Sequence, residues 1–216
     1  MATEATPAGK ARDGRTDFNE RAQDYESGPR AIWHNVIVNR CADVALSAIQ
    51  VPLRVLDVGC GTGALLRQMN ARLPNVLELI GVDPAVEMVR LARERAEGVE
   101  QFIQANAEQL PFADGHFDLV VSTSSFDHWV DQQRGVDEVA RVLHPDGLFV
   151  LADLCAAWLS GSHEAGRART PKAMTEVLRR AGFEVDRMET IYRAVGLPLV
   201  RAFTAKLTAP GPGGLN

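Results

Sequence analysis

Three patterns are missing from this chain, and each absence removes a class of function. Only three cysteines occur, Cys41, Cys60 and Cys155, widely separated and without CxxC spacing. They supply neither a disulfide framework nor a zinc site, and they fit a reducing compartment, so a cytoplasmic protein is expected. No apolar run approaches the roughly 20 residues of a membrane span, and the first residues lack the apolar core of a signal peptide. An excess of positive charge is missing as well. With 23 Lys and Arg against 28 Asp and Glu, the formal net charge is −5, which leaves no electrostatic footprint for nucleic acid.

What is present suits one globular domain. The 216 residues are enough to bury a continuous core, and the apolar fraction of 46% and charged fraction of 24% are ordinary for such a chain. The most informative stretch is Val55 to Gly63, VLDVGCGTG. Val55, Leu56 and Val58 make a short buried-strand run. Gly59, Gly61 and Gly63 follow at once, and Ala64, Leu65, Leu66 and Met69 then repeat at helical spacing. A strand, a glycine turn and a helix start form a corner whose free backbone N–H groups suit a nucleotide-like cofactor.

Two cofactor classes use such a corner. Gly59, Gly61 and Ala64 satisfy the looser dinucleotide pattern GxGxxG/A, which keeps an NAD-linked oxidoreductase open. Asp57, two positions before the first glycine, is instead suited to a cofactor that carries an amine, and would repel a pyrophosphate. An acidic residue followed by GxGxG resembles the first motif of the class I S-adenosylmethionine-dependent methyltransferases. The resemblance extends across Phe18 to Leu207.

Taken in order, residues 1–16 have no apolar period and read as a disordered tail. Residues 17–208 read as a single domain whose first part, 17–51, is a helical cap over the site. The segment FNERAQDY, ending in Tyr25, looks like the pattern that covers the cofactor pocket in quinone-type relatives. Beyond the glycine turn, strands and helices alternate, the mark of a parallel α/β sheet. Asp83 falls twenty residues after Gly63, the spacing of a carboxylate that takes ribose hydroxyls. Standing before Pro84, it also suits a helix N-cap. Asn106-Ala107-Glu108-Gln109-Leu110-Pro111-Phe112 resembles the adenine-lining segment DAExLPF, with Asn where Asp is commoner; a plain Asx turn explains the same residue.

Phe117 to Ser122 is a β-branched strand, and the residues at its carboxyl end, Ser124 to Trp129, should face the ligand crevice. His128 there is a base, an orienter or a structural histidine, and Trp129 is expected to pack on the next helix. Asp153 ends the fifth strand, where no partner carboxylate is evident in the sequence, and is read as a polar lip. Cys155 to Arg169 is a candidate lid. Glu184 to Tyr192 and Leu199 to Leu207 read as an antiparallel pair joined by six residues, and the Pro- and Gly-rich residues 209–216 as a loose tail.

The resemblance implies a seven-stranded, mostly parallel, Rossmann-like sheet with an antiparallel last strand and helices on both faces. It implies methyl transfer from S-adenosylmethionine to a small-molecule acceptor, with no nucleic-acid partner, since no NPPY or DPPY run follows the fourth strand. Cofactor contacts fall on Asp57, Gly59, Gly61, Gly63, Asp83, Pro84, Asn106, Ala107, Ser122 and Tyr25. The acceptor side falls to His128 and Asp127, without a metal. Besides the oxidoreductase, a protein that binds the cofactor without turnover remains open.

Overall fold

The computed structural model describes residues 18–20, 22–49, 51–155 and 170–208. The two tails, and the candidate lid beyond Cys155, lie outside these described residues. Seven strands form one sheet in the order β3-β2-β1-β4-β5-β7-β6. They are β1 Arg54–Val58, β2 Glu78–Asp83, β3 Glu100–Gln104, β4 Phe117–Thr123, β5 Leu143–Leu154, β6 Phe183–Ala194 and β7 Leu197–Leu207. The first five run parallel, and β7 is antiparallel to both β5 and β6, inserted between them.

Strand alternation sends successive side chains to opposite faces, and the central strands are apolar on both. On one face Leu56, Val58, Val120, Phe149 and Phe203 pack under helices α4 (Gln132–Val142) and α5 (Pro171–Arg180). On the other, Val55, Leu79, Leu119, Val121 and Val150 pack under α1 (Gly28–Ala48), α2 (Ala64–Asn70) and α3 (Val86–Glu94). The same alternation places Asp57 and Thr123 towards the α1 side and Ser122 towards the α4 side. Among the described residues no helix is long and apolar enough to cross a membrane.

Three boundaries differ from the sequence reading, each for a local reason. Ser27-Gly28-Pro29 reads in sequence as the stop of a short helix over Asp17 to Tyr25, but Gly28 and Pro29 open α1, because proline is tolerated in a first helical turn, where its missing N–H would be unpaired anyway. The fifth strand, read in sequence as Leu148 to Leu154, starts at Leu143, which pairs with Phe117. The β6–β7 connection is two residues, not six. Val195 and Gly196 take φ of 48° and 78°, the double left-handed pair of a type I′ hairpin. A β-branched residue is strained there. Val195, fully exposed, has no packing to lose, so Val195→Asn should raise stability by up to about 1 kcal/mol in a denaturant melt.

Candidate functional site

The strand order reverses between β1 and β4, and the crevice at that point, outside the carboxyl ends of the strands, is where an open α/β sheet takes its ligand. A cavity of about 510 Å³ opens there. Its floor is the glycine turn. Gly59 takes φ 78°, and a Cβ on it would overlap the Ser125 side chain, so no other residue fits. Above Gly61 the space is open as far as the Tyr25 ring, 3.9 Å from where a Cβ would stand. That gap lets a ligand approach the bare backbone.

Asp83 ends β2 and ties the turn to the sheet. Its Oδ2 accepts the Gly61 N–H at 3.0 Å and its Oδ1 the Ala85 N–H at 2.9 Å. The N-cap alternative is corrected: Ala85 occupies the cap position of α3, and it is Asn19 Oδ1 that accepts the Glu87 N–H, at 3.0 Å. Next to Asp83, Asp57 is 2% exposed, and its Oδ1 has no hydrogen-bond partner. Burial, reinforced by the charge of Asp83, pushes the Asp57 carboxyl up to about 8. Burial also raises Asp83. Tyr25, over the turn, is pushed up to about 12 by burial and then by the Asp83 charge, so it stays a phenol and a donor.

Among the described residues the cavity wall carries Asp57, Asp83 and Glu108, and no Lys or Arg. A pyrophosphate would find carboxyl groups and no Lys or Arg on this wall, which counts against the dinucleotide alternative. A ligand bearing an amine and a sulfonium brings the missing positive charge. S-adenosylmethionine therefore fits these acceptors, and Asp57, Asp83 and the Gly59–Gly61 backbone would hold it.

The loop after β3 forms a second wall with Ala105, Asn106, Ala107 and Glu108. Its turn is closed by the backbone, Gln109 N–H to Asn106 C=O at 3.2 Å, rather than by an Asx side chain. Helix α4 fixes this loop. Arg141 donates to the carbonyls of Leu110 and Phe112 at 2.9 and 2.7 Å, and Glu138 accepts the Leu110 N–H at 2.8 Å. The far wall is the segment before α1, with Phe18 and Tyr25, and the first turns of α1, with His34 and Val38. His128, Trp129 and Val130 face them from a 3-10 turn at Phe126–His128. His128 is exposed and meets the Phe18 ring edge-on at 4.9 Å. Burial lowers His34, which lies 3.4 Å from the Tyr25 hydroxyl through Nε2.

Asp57, Gly59, Gly61, Asp83, Pro84, Asn106, Ala107, Tyr25 and His128 thus share one cavity. Gly63, Ser122 and Asp127, expected there from the sequence, are not among the residues that line it. Gly63 is reserved by packing, because a Cβ on it would lie 2.6 Å from the Phe102 ring. Ser122 points to the opposite face and pairs with Ser125 Oγ at 2.9 Å. Asp127 stands beside Asp153, which is 3% exposed, not a lip. Burial, with the Asp127 charge adding to it, raises Asp153 to about 7. The pair is invisible in sequence because its members are on different elements. Trp129 packs against α4, where a Cβ on Gly135 would overlap its ring, and it also reaches the cavity.

Sequence reasoning missed Thr62 and Thr123, whereas Ser125 lines the cavity as expected of the end of the fourth strand. Ser125 Oγ donates to the Val58 carbonyl at 2.9 Å and accepts from Trp129 Nε1 at 3.3 Å, joining β1 to the 3-10 turn. Ser124 takes φ 55° on the cavity wall, a backbone outlier that only the structure shows.

Comparisons with known proteins agree with this geometry. A family model described as a methyltransferase domain matches residues 56–151. The malonyl-[acyl-carrier protein] O-methyltransferase of Geobacter sulfurreducens is 36% identical over 187 residues, 78% of this chain and 69% of that protein. The demethylmenaquinone methyltransferase of Thermus thermophilus is 38% identical over 117 residues, 53% of this chain and 52% of that one. Among solved structures, a SAM-dependent methyltransferase from Aquifex aeolicus has the same fold, with a TM-score of 0.66 at 16% identity, covering 87% of this chain and 97% of that chain.

Proposed function

We propose, from the chain's membership of the class I S-adenosylmethionine-dependent methyltransferases, that its acceptor is a neutral, ring-bearing small molecule held between Phe18, His34 and His128. The observation that carries this reading is the composition of the acceptor wall. Phe18, Val38, Trp129 and Val130 are apolar or aromatic, the polar groups among them include two imidazoles and the Tyr25 hydroxyl, and no Lys or Arg of the described residues is there to hold an anionic acceptor. A quinol or phenol, as the name of the Thermus relative suggests, suits such a wall better than the malonyl carboxylate named for the Geobacter relative.

The chemistry supplied by S-adenosylmethionine is a methyl group already activated by positive sulfur. The chain's own contribution is largely positioning, which alone can lower a barrier by several kcal/mol. Asp57 balances the cofactor's positive charge, and Asp83 offers its remaining lone pairs to ribose hydroxyls. The aromatic wall excludes water, and His128 takes the proton of a hydroxyl or ring-carbon nucleophile.

Two measurements test this. Labelled-methyl transfer should appear on short-chain hydroquinones or phenols, and labelled malonyl ester in their place would overturn the acceptor assignment. Asp83→Asn should weaken S-adenosylhomocysteine by about 1.5–3 kcal/mol, the scale of a hydrogen bond to a charged group, and cost some stability through the Gly61 and Ala85 amides. Unchanged affinity in calorimetry would remove the ribose role.

A further inference from the structure

The segment before α1 crosses the glycine turn and is fastened on both sides of Tyr25. On one side Asn19 holds the start of α3. On the other, the Glu26 carboxylate gathers three partners from three elements. It accepts the Thr62 hydroxyl of the glycine turn, Arg67 Nη2 of α2 at 2.9 and 3.1 Å, and forms an ion pair with Arg95 Nη1 after α3 at 3.0 Å. Arg67 also donates to the Thr62 carbonyl at 2.6 Å. The three charged side chains are 15–32% exposed, and Arg67 grips the carboxylate through both oxygens, so the cluster is stronger than an ordinary surface pair. Burial works against the Glu26 charge, but the Thr62 hydroxyl and the two guanidiniums more than offset it, and the carboxyl stays below its ordinary range.

Neither Glu26 nor the two arginines lines the cavity, whereas Tyr25, the adjacent residue, and Thr62, the hydrogen-bond partner, both do. A contact built from charges outside the cavity, holding residues inside it, has little meaning as ligand recognition. It has a clear one as a fastening. We infer that Glu26 is a positioning residue whose attachment to Thr62, Arg67 and Arg95 holds Tyr25 over the glycine turn and sets the rate at which the cofactor site opens. The inference rests on the cofactor assignment above. For a ligand to leave the floor at Gly61, Tyr25 must lift, and it cannot lift far while its neighbour is held on three elements. Release therefore requires this cluster to break, and weakening it should speed entry and, more strongly, escape.

The test uses the full chain and S-adenosylhomocysteine, with affinity from calorimetry and dissociation from stopped-flow displacement. Glu26→Ala should release the ligand about tenfold faster or more, with a smaller loss of affinity because entry quickens too. Glu26→Gln should fall between, since its amide oxygen still accepts from Thr62. Raising salt to about 0.5 M should speed release from the native chain more than from Glu26→Ala, because only the former has the Glu26 ion pairs to screen. Hydrogen exchange at the Tyr25 and Ser27 amides, bonded to Ala22 and Asp24, should rise in the variant. Native dissociation in Glu26→Ala, with only a lower melting temperature, would overturn the inference and leave a structural salt bridge. If Glu26→Ala fails to fold, Arg95→Gln removes one contact and must still quicken release; a native rate there is equally fatal. A native chain that does not bind S-adenosylhomocysteine would refute the cofactor reading itself, a distinct failure.

Discussion

Asp57→Asn is expected to stabilise the empty protein and to weaken cofactor binding, two effects of opposite sign from one substitution. Asp57 is buried without a counter-charge, and its carboxyl is pushed from 3.8 to about 8 by burial and then by Asp83. In the unfolded chain it ionises near pH 4, while in the empty folded protein it holds its proton to about pH 8. Between those limits the unfolded state binds fewer protons, so stability falls by up to about 1.4 kcal/mol per pH unit and is flat outside the window. Asp153, raised to about 7, adds a loss of the same sign that ends nearer neutrality. The Asp57→Asn change removes the larger part and should raise the melting temperature most at the alkaline end, by the equivalent of a few kcal/mol.

Cofactor binding runs the other way. The ammonium group that S-adenosylmethionine and S-adenosylhomocysteine share favours the ionised Asp57, so association releases a proton and affinity should climb with pH towards about 8, by at most about tenfold per unit. The Asp57→Asn variant should bind weakly with a flat profile. Calorimetry with S-adenosylhomocysteine, run in two buffers of different ionisation enthalpy, measures the proton directly. Parallel pH profiles for the two proteins would mean that Asp57 does not face the cofactor's charge.

The legible parts of this site are those that local rules determine. The strand, glycine turn and helix at Val55–Met69 follow from apolar spacing and glycine's conformational freedom, and the alternation of strands puts Asp57 on the cavity side. The same alternation excludes Ser122 in favour of Thr123, a signal the sequence carries and the motif reading overlooks. Gly63 belongs to the motif and so reads as a ligand contact, but Phe102, far along the chain, is what demands a glycine there. Glu26 and Arg67 are 41 residues apart, and no periodicity connects them. The hairpin turn is hidden by its own chemistry, since a β-branched Val195 argues against positive φ and the strain is tolerated only where the β6–β7 register imposes it. Non-local packing thus decides what the local pattern leaves open.

His128→Ala should lower kcat by about 10² to 10⁴ on the identified acceptor and leave S-adenosylhomocysteine affinity unchanged, because loss of a general base acts on the chemical step. The structure sharpens this expectation. His128 is exposed at the cavity rim with its ring against Phe18, so truncating it removes little buried area, and a large loss of stability would be out of proportion. An orienting role would give a smaller loss, shared between kcat and the acceptor's KM. The pH–rate profile separates the bases. A limb that vanishes in His128→Ala belongs to His128. A limb surviving on the acid side would point to His34, which burial keeps neutral to lower pH and which stands on the opposite wall. A surviving limb near pH 7 would point to Asp153, raised to about 7. Asp153 is buried off the cavity, so its influence on the acceptor would have to pass through Asp127 and the 3-10 turn, and the limb should then respond to Asp127→Asn. Retention of the native rate in His128→Ala at every pH would remove the proton-transfer role and leave the aromatic contact with Phe18 as the residue's contribution.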